Sequence, residues 1–139
     1  MKYFLCDEYV VAQRAAFTVS LIGQKHPELF NKHIHSMYLK LNEPVHDAVI
    51  RCILQIFQEL EFPEDLEGMI FDNCMSFLIS PKYPAAFRVY AMNILVNFCE
   101  KYPELKTELK PVILDVLQTS ELPSVTSRAK RELKRLEKI

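Results

Sequence analysis

The side chains able to do chemistry in this 139-residue chain are four histidines, four cysteines, a knot of carboxylates and one basic run. His33 and His35 lie close together, flanked by His26 and His46. On a helix, residues two apart point about 200° away from each other. His33 and His35 therefore cannot share an ion, and no His/Cys pair stands at metal-ligand spacing. We expect surface or half-buried histidines and no metal site. Cys6, Cys52, Cys74 and Cys99 have no close pair and sit in apolar helical runs, as reduced packing residues of a reducing compartment do.

Gly23 and Gly68 are the only glycines, so neither a phosphate-cradling loop nor a nucleophile elbow can be written. Glu64, Asp65 and Glu67 crowd a predicted helix start. There they complement the helix dipole, a structural role worth roughly 0.3–1 kcal/mol each. No catalytic constellation and no cofactor site emerge. An enzyme reading, a small all-helical protein of unknown reaction, would need a buried polar cleft holding a shifted carboxylate or histidine.

Between Arg128 and Lys138 stand six basic residues and two acidic ones, a local +4 in a chain of net charge −1. Arg128, Arg131, Lys134 and Arg135 are the candidates for phosphate contact. The alternative is a helix with a single apolar side, Val125, Ala129, Leu133 and Leu136, otherwise covered by solvated charge. Lysine and arginine also suit a helix C-terminus. The near-neutral overall charge argues against whole-surface attraction to nucleic acid or membrane.

The elements that would position these residues are helices. Eight prolines against two glycines favour helix starts over sharp turns. Asp7 can cap a first helix reaching Gly23, and Pro27 starts a second ending near Leu41. Pro44, Pro63, Pro84 and Pro103 open the third to sixth, ending near Leu60, Ile79, Tyr102 and Gln118. Pro123 and Ser124 open a seventh that runs to the end of the chain. No segment alternates with period two, so no strand is expected, and short connections make sequential helices antiparallel. The start, MKYFLCDEYV, is too short in apolar residues for a signal peptide, and no run approaches a membrane span. A soluble cytoplasmic protein is expected.

The helices repeat. In the fifth, the stripe Phe87, Ala91, Ile94, Leu95, Phe98 follows steps of 0, +4, +7, +8 and +11. Shifts of 38 residues give Val49, Ile53, Ile56, Phe57, Leu60 and Val11, Ala15, Thr18, Val19, Ile22 on one side, and Val125, Ala129, Glu132, Leu133, Leu136 on the other. Only Thr18 and Glu132 break the apolar pattern. The alternate helices fit the same steps with looser spacing, the fourth imperfectly at Asn73, and HPELF, FPEDL and YPELK echo one another at the corners.

A two-helix unit of about 38 residues resembles the HEAT and armadillo class of α-solenoid. The resemblance covers residues 7–139 and lies in period and pattern, without a diagnostic motif. It implies one all-α domain over 1–139, a right-handed α-solenoid of about three and a half antiparallel helix pairs and seven helices. The repeats fall at about 7–43, 44–82 and 83–121, with a closing helix at 123–139. An irregular seven-helix bundle is the alternative.

In such folds the second helix of each pair lines a concave side where partners bind. Step +9 of those helices, turned roughly 150° from the stripe, is Leu39, Met75 and Leu114, with Lys32, His35, Phe71 and Lys110 nearby. An apolar row bordered by polar groups suits a partner helix or peptide; the alternative is sideways packing between repeats. The first helix carries a second apolar side, Val10, Phe17 and Leu21, to be covered by residues 1–6 or by a second copy in a homodimer. The expected function is a non-catalytic protein-interaction scaffold. HEAT-like repair glycosylases make a nucleic-acid reading through the basic last helix the alternative.

Overall fold

The computed structural model describes residues 1–5 and 9–139, apart from the side chains of Tyr9, Val10, Val11, Gln13 and Phe17. The Asp7 cap and the self-association residues Val10 and Phe17 lie outside what it describes. Seven α-helices are present among the described residues: α1 (Tyr9–Lys25), α2 (Ile34–Leu41), α3 (Asp47–Phe57), α4 (Glu64–Ile79), α5 (Ala85–Lys101), α6 (Lys106–Thr119) and α7 (Pro123–Glu137). No strand occurs among the described residues.

The prolines do not all start α-helices. Pro27 and Pro103 each open a 3-10 stretch, Pro27–His33 and Pro103–Leu105, before α2 and α6 begin. Pro44 does not open α3. His46 does so from an extended backbone, its Nδ1 accepting the Ala48 N–H at 3.0 Å and satisfying one of the donors a helix start leaves open. The acidic residues Glu64, Asp65 and Glu67 do occupy the first turn of α4.

The chain forms two compact units, Met1–Glu67 and Gly68–Ile139. In the first, α3 packs against both α1 and α2. Val49, Ile53, Ile56 and Phe57 of α3 are buried, as the periodicity predicts, with Phe30, Ile34, Met37 and Leu41 around α2. Phe62 meets the Phe57 ring edge-on at 5.0 Å between centroids.

The inward stripe of α1 is a correction. Ala12, Ala16, Val19 and Gly23 are buried, whereas Thr18 and Ile22 of the expected stripe are exposed. These residues stand 37, not 38, positions before Val49, Ile53, Ile56 and Leu60, so α1 is turned by about 100°. The physical reason is close approach. A Cβ at Gly23 would come within 2.6 Å of Ile56 Cγ1, and the Cys52 thiol donates to the Ala16 carbonyl at 3.4 Å. Small residues bring the two backbones together, and a search for large apolar side chains passes over them.

In the second unit α7 packs on both α5 and α6. Phe87, Ala91, Ile94, Leu95 and Phe98 are all buried, as are Leu109, Ile113 and Val116 of α6 and Val125, Ala129 and Leu136 of α7. Phe77, Tyr83 and Phe87 stack and cross edge-on at 4.9, 5.7 and 6.2 Å between centroids, pinning the α4–α5 corner. Each such aromatic pair adds about 0.5–1.5 kcal/mol beyond its buried area. Buried Arg88 donates from Nε to the Leu78 carbonyl at 3.1 Å, satisfying a carbonyl in the last turn of α4.

Candidate functional site

The predicted partner face divides when its residues are placed. In the first unit, Lys32, His35 and Leu39 are all exposed, Leu39 at 61%. His35 Nε2 lies 3.1 Å from Asp65 Oδ2, so the imidazole has a carboxylate partner at the start of α4. In the second unit Leu114 is 38% exposed, and Met75 and Lys110 are half-buried. Phe71 is a correction: it is buried, with its ring edge-on to Phe98 at 5.8 Å. The +9 step of the template thus marks surface residues at Leu39 and Leu114, while Phe71 belongs to the core.

The basic run of α7 is also altered by folding. Glu132, the polar exception in the repeat template, is 1% exposed. Its Oε2 accepts from Arg135 Nη1 at 2.7 Å, and its Oε1 lies 3.5 Å from Arg128 Nε, an ion pair without hydrogen-bond geometry. Arg135 reaches further. Nη1 donates to Asn93 Oδ1 at 2.6 Å, and Nη2 to Asn97 Oδ1 and Glu100 Oε1, both at 2.8 Å. Burial opposes the guanidinium charge, but hydrogen bonding and attraction from Glu100 and Glu132 outweigh it and raise the Arg135 pKa.

Arg135 is therefore a fastener between α7 and α5, and Arg128 is held beside Glu132. Both of these candidate phosphate contacts are thus engaged with carboxylates of the chain itself. Arg131 and Lys134, with Lys130 and Lys138, remain exposed. Asn93, Asn97 and Glu100 were not anticipated, though their spacing of four and three, which sets them on one side of α5, is the signal that marks them.

The histidines are dispersed. His26 lies 3.4 Å from Glu28, His46 caps α3, and the pKa of His33 is lowered by burial and then by neighbouring Lys32. Among the described residues no group of three or more His, Cys, Asp or Glu could hold a metal ion. Cys52, Cys74 and Cys99 are buried free thiols. Burial pushes the Cys52 pKa up to about 12 and that of Cys99 up to about 11, and raises Cys74 as well. Such thiols are poor nucleophiles at neutral pH.

A polar cleft in the first unit, lined by Gln24, Gln55, Ile56, Gln58 and Glu59, was not read from the sequence. Gln24 Nε2 donates to Ser20 Oγ at 3.3 Å, and Ser20 in turn donates to Gln55 Oε1 at 2.9 Å, tying α1 to α3 along its wall. Among the described residues no histidine or cysteine lines it.

On the N-terminal side, Phe4 is buried, and the Leu5 N–H closes a turn on the Met1 carbonyl at 2.9 Å. Leu21 nevertheless remains 48% exposed. No helix among the described residues is long and apolar enough to cross a membrane.

No curated protein and no solved structure matches this chain. A protein-family description does: the HEAT repeat domain, over residues 2–136. That span reaches from the first helix into the seventh and covers nearly all of both units, and it agrees with the recurring two-helix period of the sequence. The chain belongs to the HEAT repeat domain family.

Proposed function

We propose that this chain is a non-catalytic protein-interaction module that displays the outward sides of its second-position helices to a partner helix or peptide. The observation that carries this reading is the exposure of Leu39 and Leu114, one in each unit, at the same step of the repeat template. A solvated helix face has little reason to keep leucine at that step in separate units. A binding face does, because apolar anchors with polar neighbours supply both affinity and register. Lys32 and His35 border Leu39, and Lys110 borders Leu114. HEAT repeats generally mediate protein interactions, which supports the same reading. The buried free thiols Cys52, Cys74 and Cys99 support a reducing, cytoplasmic setting.

The test is a proximity-crosslinking experiment in cells, comparing the native chain with Leu39→Glu and Leu114→Glu variants. The expected result is loss of specific crosslinked partners with unchanged helicity and cooperative melting. Retention of every partner, or collapse of melting cooperativity, overturns the reading.

A further inference from the structure

The first helix has two opposed sides. Ala12, Ala16, Val19 and Gly23 face inward, and on the side about 150° away stand Arg14, Thr18, Leu21, Ile22 and Lys25, all exposed. Leu21 and Ile22 are 48% and 41% exposed and are the apolar side chains among those described on that side. Arg14 and Lys25 bracket them over a length of about 16 Å, three turns of helix. The described N-terminal residues do not cover this side: Phe4 is buried in its own place while Leu21 and Ile22 remain open.

The charge pattern selects the occupant. Residues 1–67 hold ten acidic and six basic side chains, yet α1, YVVAQRAAFTVSLIGQK, has no acidic residue at all. Glu28, just beyond it, is paired with His26. On the described part of this side the charges are the two cations Arg14 and Lys25, which complement a partner carrying carboxylates.

We propose that the outer face of α1 docks an amphipathic helix of another protein, one whose apolar stripe is bordered by aspartate or glutamate. Leu21 and Ile22 supply the apolar contact, while Arg14 and Lys25 meet the carboxylates at either end and set register. This surface is distinct from the Leu39 and Leu114 positions, so it adds a second partner class to the interaction reading.

The test uses the full chain and two synthetic helical peptides with one leucine stripe, flanked by glutamate in one and by lysine in the other, in a fluorescence-anisotropy titration. The expected result is binding of the glutamate peptide, at least tenfold weaker binding of the lysine peptide, and weakening of the former by salt. Leu21→Ser with Ile22→Ser should cost about tenfold or more. Arg14→Glu with Lys25→Glu should invert the preference. Circular dichroism on each variant checks the fold.

The proposal is overturned if the glutamate peptide fails to bind at about 100 μM, if both peptides bind equally, or if charge reversal leaves the preference unchanged. Light scattering that shows a dimer dissolved by Leu21→Ser makes the occupant a second copy and overturns it too. Loss of peptide binding in Leu39→Glu, with none in Leu21→Ser, moves the site to α2 and leaves the interaction reading standing without this face.

Discussion

Arg135 Nη1 donates to Glu132 Oε2 at 2.7 Å one turn back on α7, and the same guanidinium binds Asn93, Asn97 and Glu100 across on α5. A carboxylate inside a helical repeat is tolerable only with such a partner, because an unpaired buried charge is costly. The four acceptors also occupy both terminal nitrogens, so the side chain is held in one plane. α7 is therefore joined to α5 by a polar fastener in addition to its apolar stripe.

Removing the fastener should be felt in stability. Arg135→Ala leaves the buried Glu132 carboxylate with Arg128 alone, at 3.5 Å and without hydrogen-bond geometry, and should cost about 3 kcal/mol in urea unfolding, the scale for breaking a buried pair. Arg135→Lys should restore little, since one ammonium cannot reproduce the planar fork. Asn97→Ala, which removes a single acceptor, should cost about 1 kcal/mol. Equal stability of native chain and Arg135→Ala would show that the apolar stripe alone holds α7.

Gly23 tests the α1–α3 contact. Alanine gains about 1 kcal/mol of helix propensity over glycine, but its Cβ would meet Ile56 Cγ1 at 2.6 Å. Overpacking of that kind costs about 1–3 kcal/mol, so Gly23→Ala should be neutral to destabilising by up to about 2 kcal/mol. In an Ile56→Ala background the clash is gone and the same change should stabilise. A double-mutant cycle with coupling below about 0.5 kcal/mol would place the two helices further apart than described.

The thiols make a chemical prediction. In a Cys6→Ser background, Cys52, Cys74 and Cys99 should resist a disulfide-exchange reagent near pH 8 and all react after unfolding. Their folded pKa values stand above the ordinary thiol value of 9.0, Cys52 at about 12 and Cys99 at about 11. The unfolded chain therefore loses these protons first as pH rises. Stability should be indifferent to them below about pH 9 and decline above it. Rapid stoichiometric labelling of any of the three in the folded protein would contradict the burial.

Much of this protein follows from its sequence. Helical class, helix number and the apolar stripes of α3 and α5 follow from the 3.6-residue period of large side chains such as Phe87, Ile94 and Phe98. Those residues bury wherever the helix lies, because transfer of large apolar surface from water does not depend on the neighbour's identity. The outward placement of Leu39 and Leu114 is legible for the same reason: they stand opposite such stripes.

Tertiary structure decided what depends on a particular partner. The turn of α1 follows from Gly23 lying against the Ile56 side chain, a fit of side chain onto bare backbone that leaves no mark in hydrophobicity. The burial of Phe71 depends on Phe98, and the choice of His46 over Pro44 as the start of α3 rests on one bond to Ala48. Arg135 looks in sequence like any other cation of α7. Only folding places Asn93, Asn97 and Glu100 within 3 Å of it, because hydrogen bonds act over one contact distance and are specified by position in space, not along the chain.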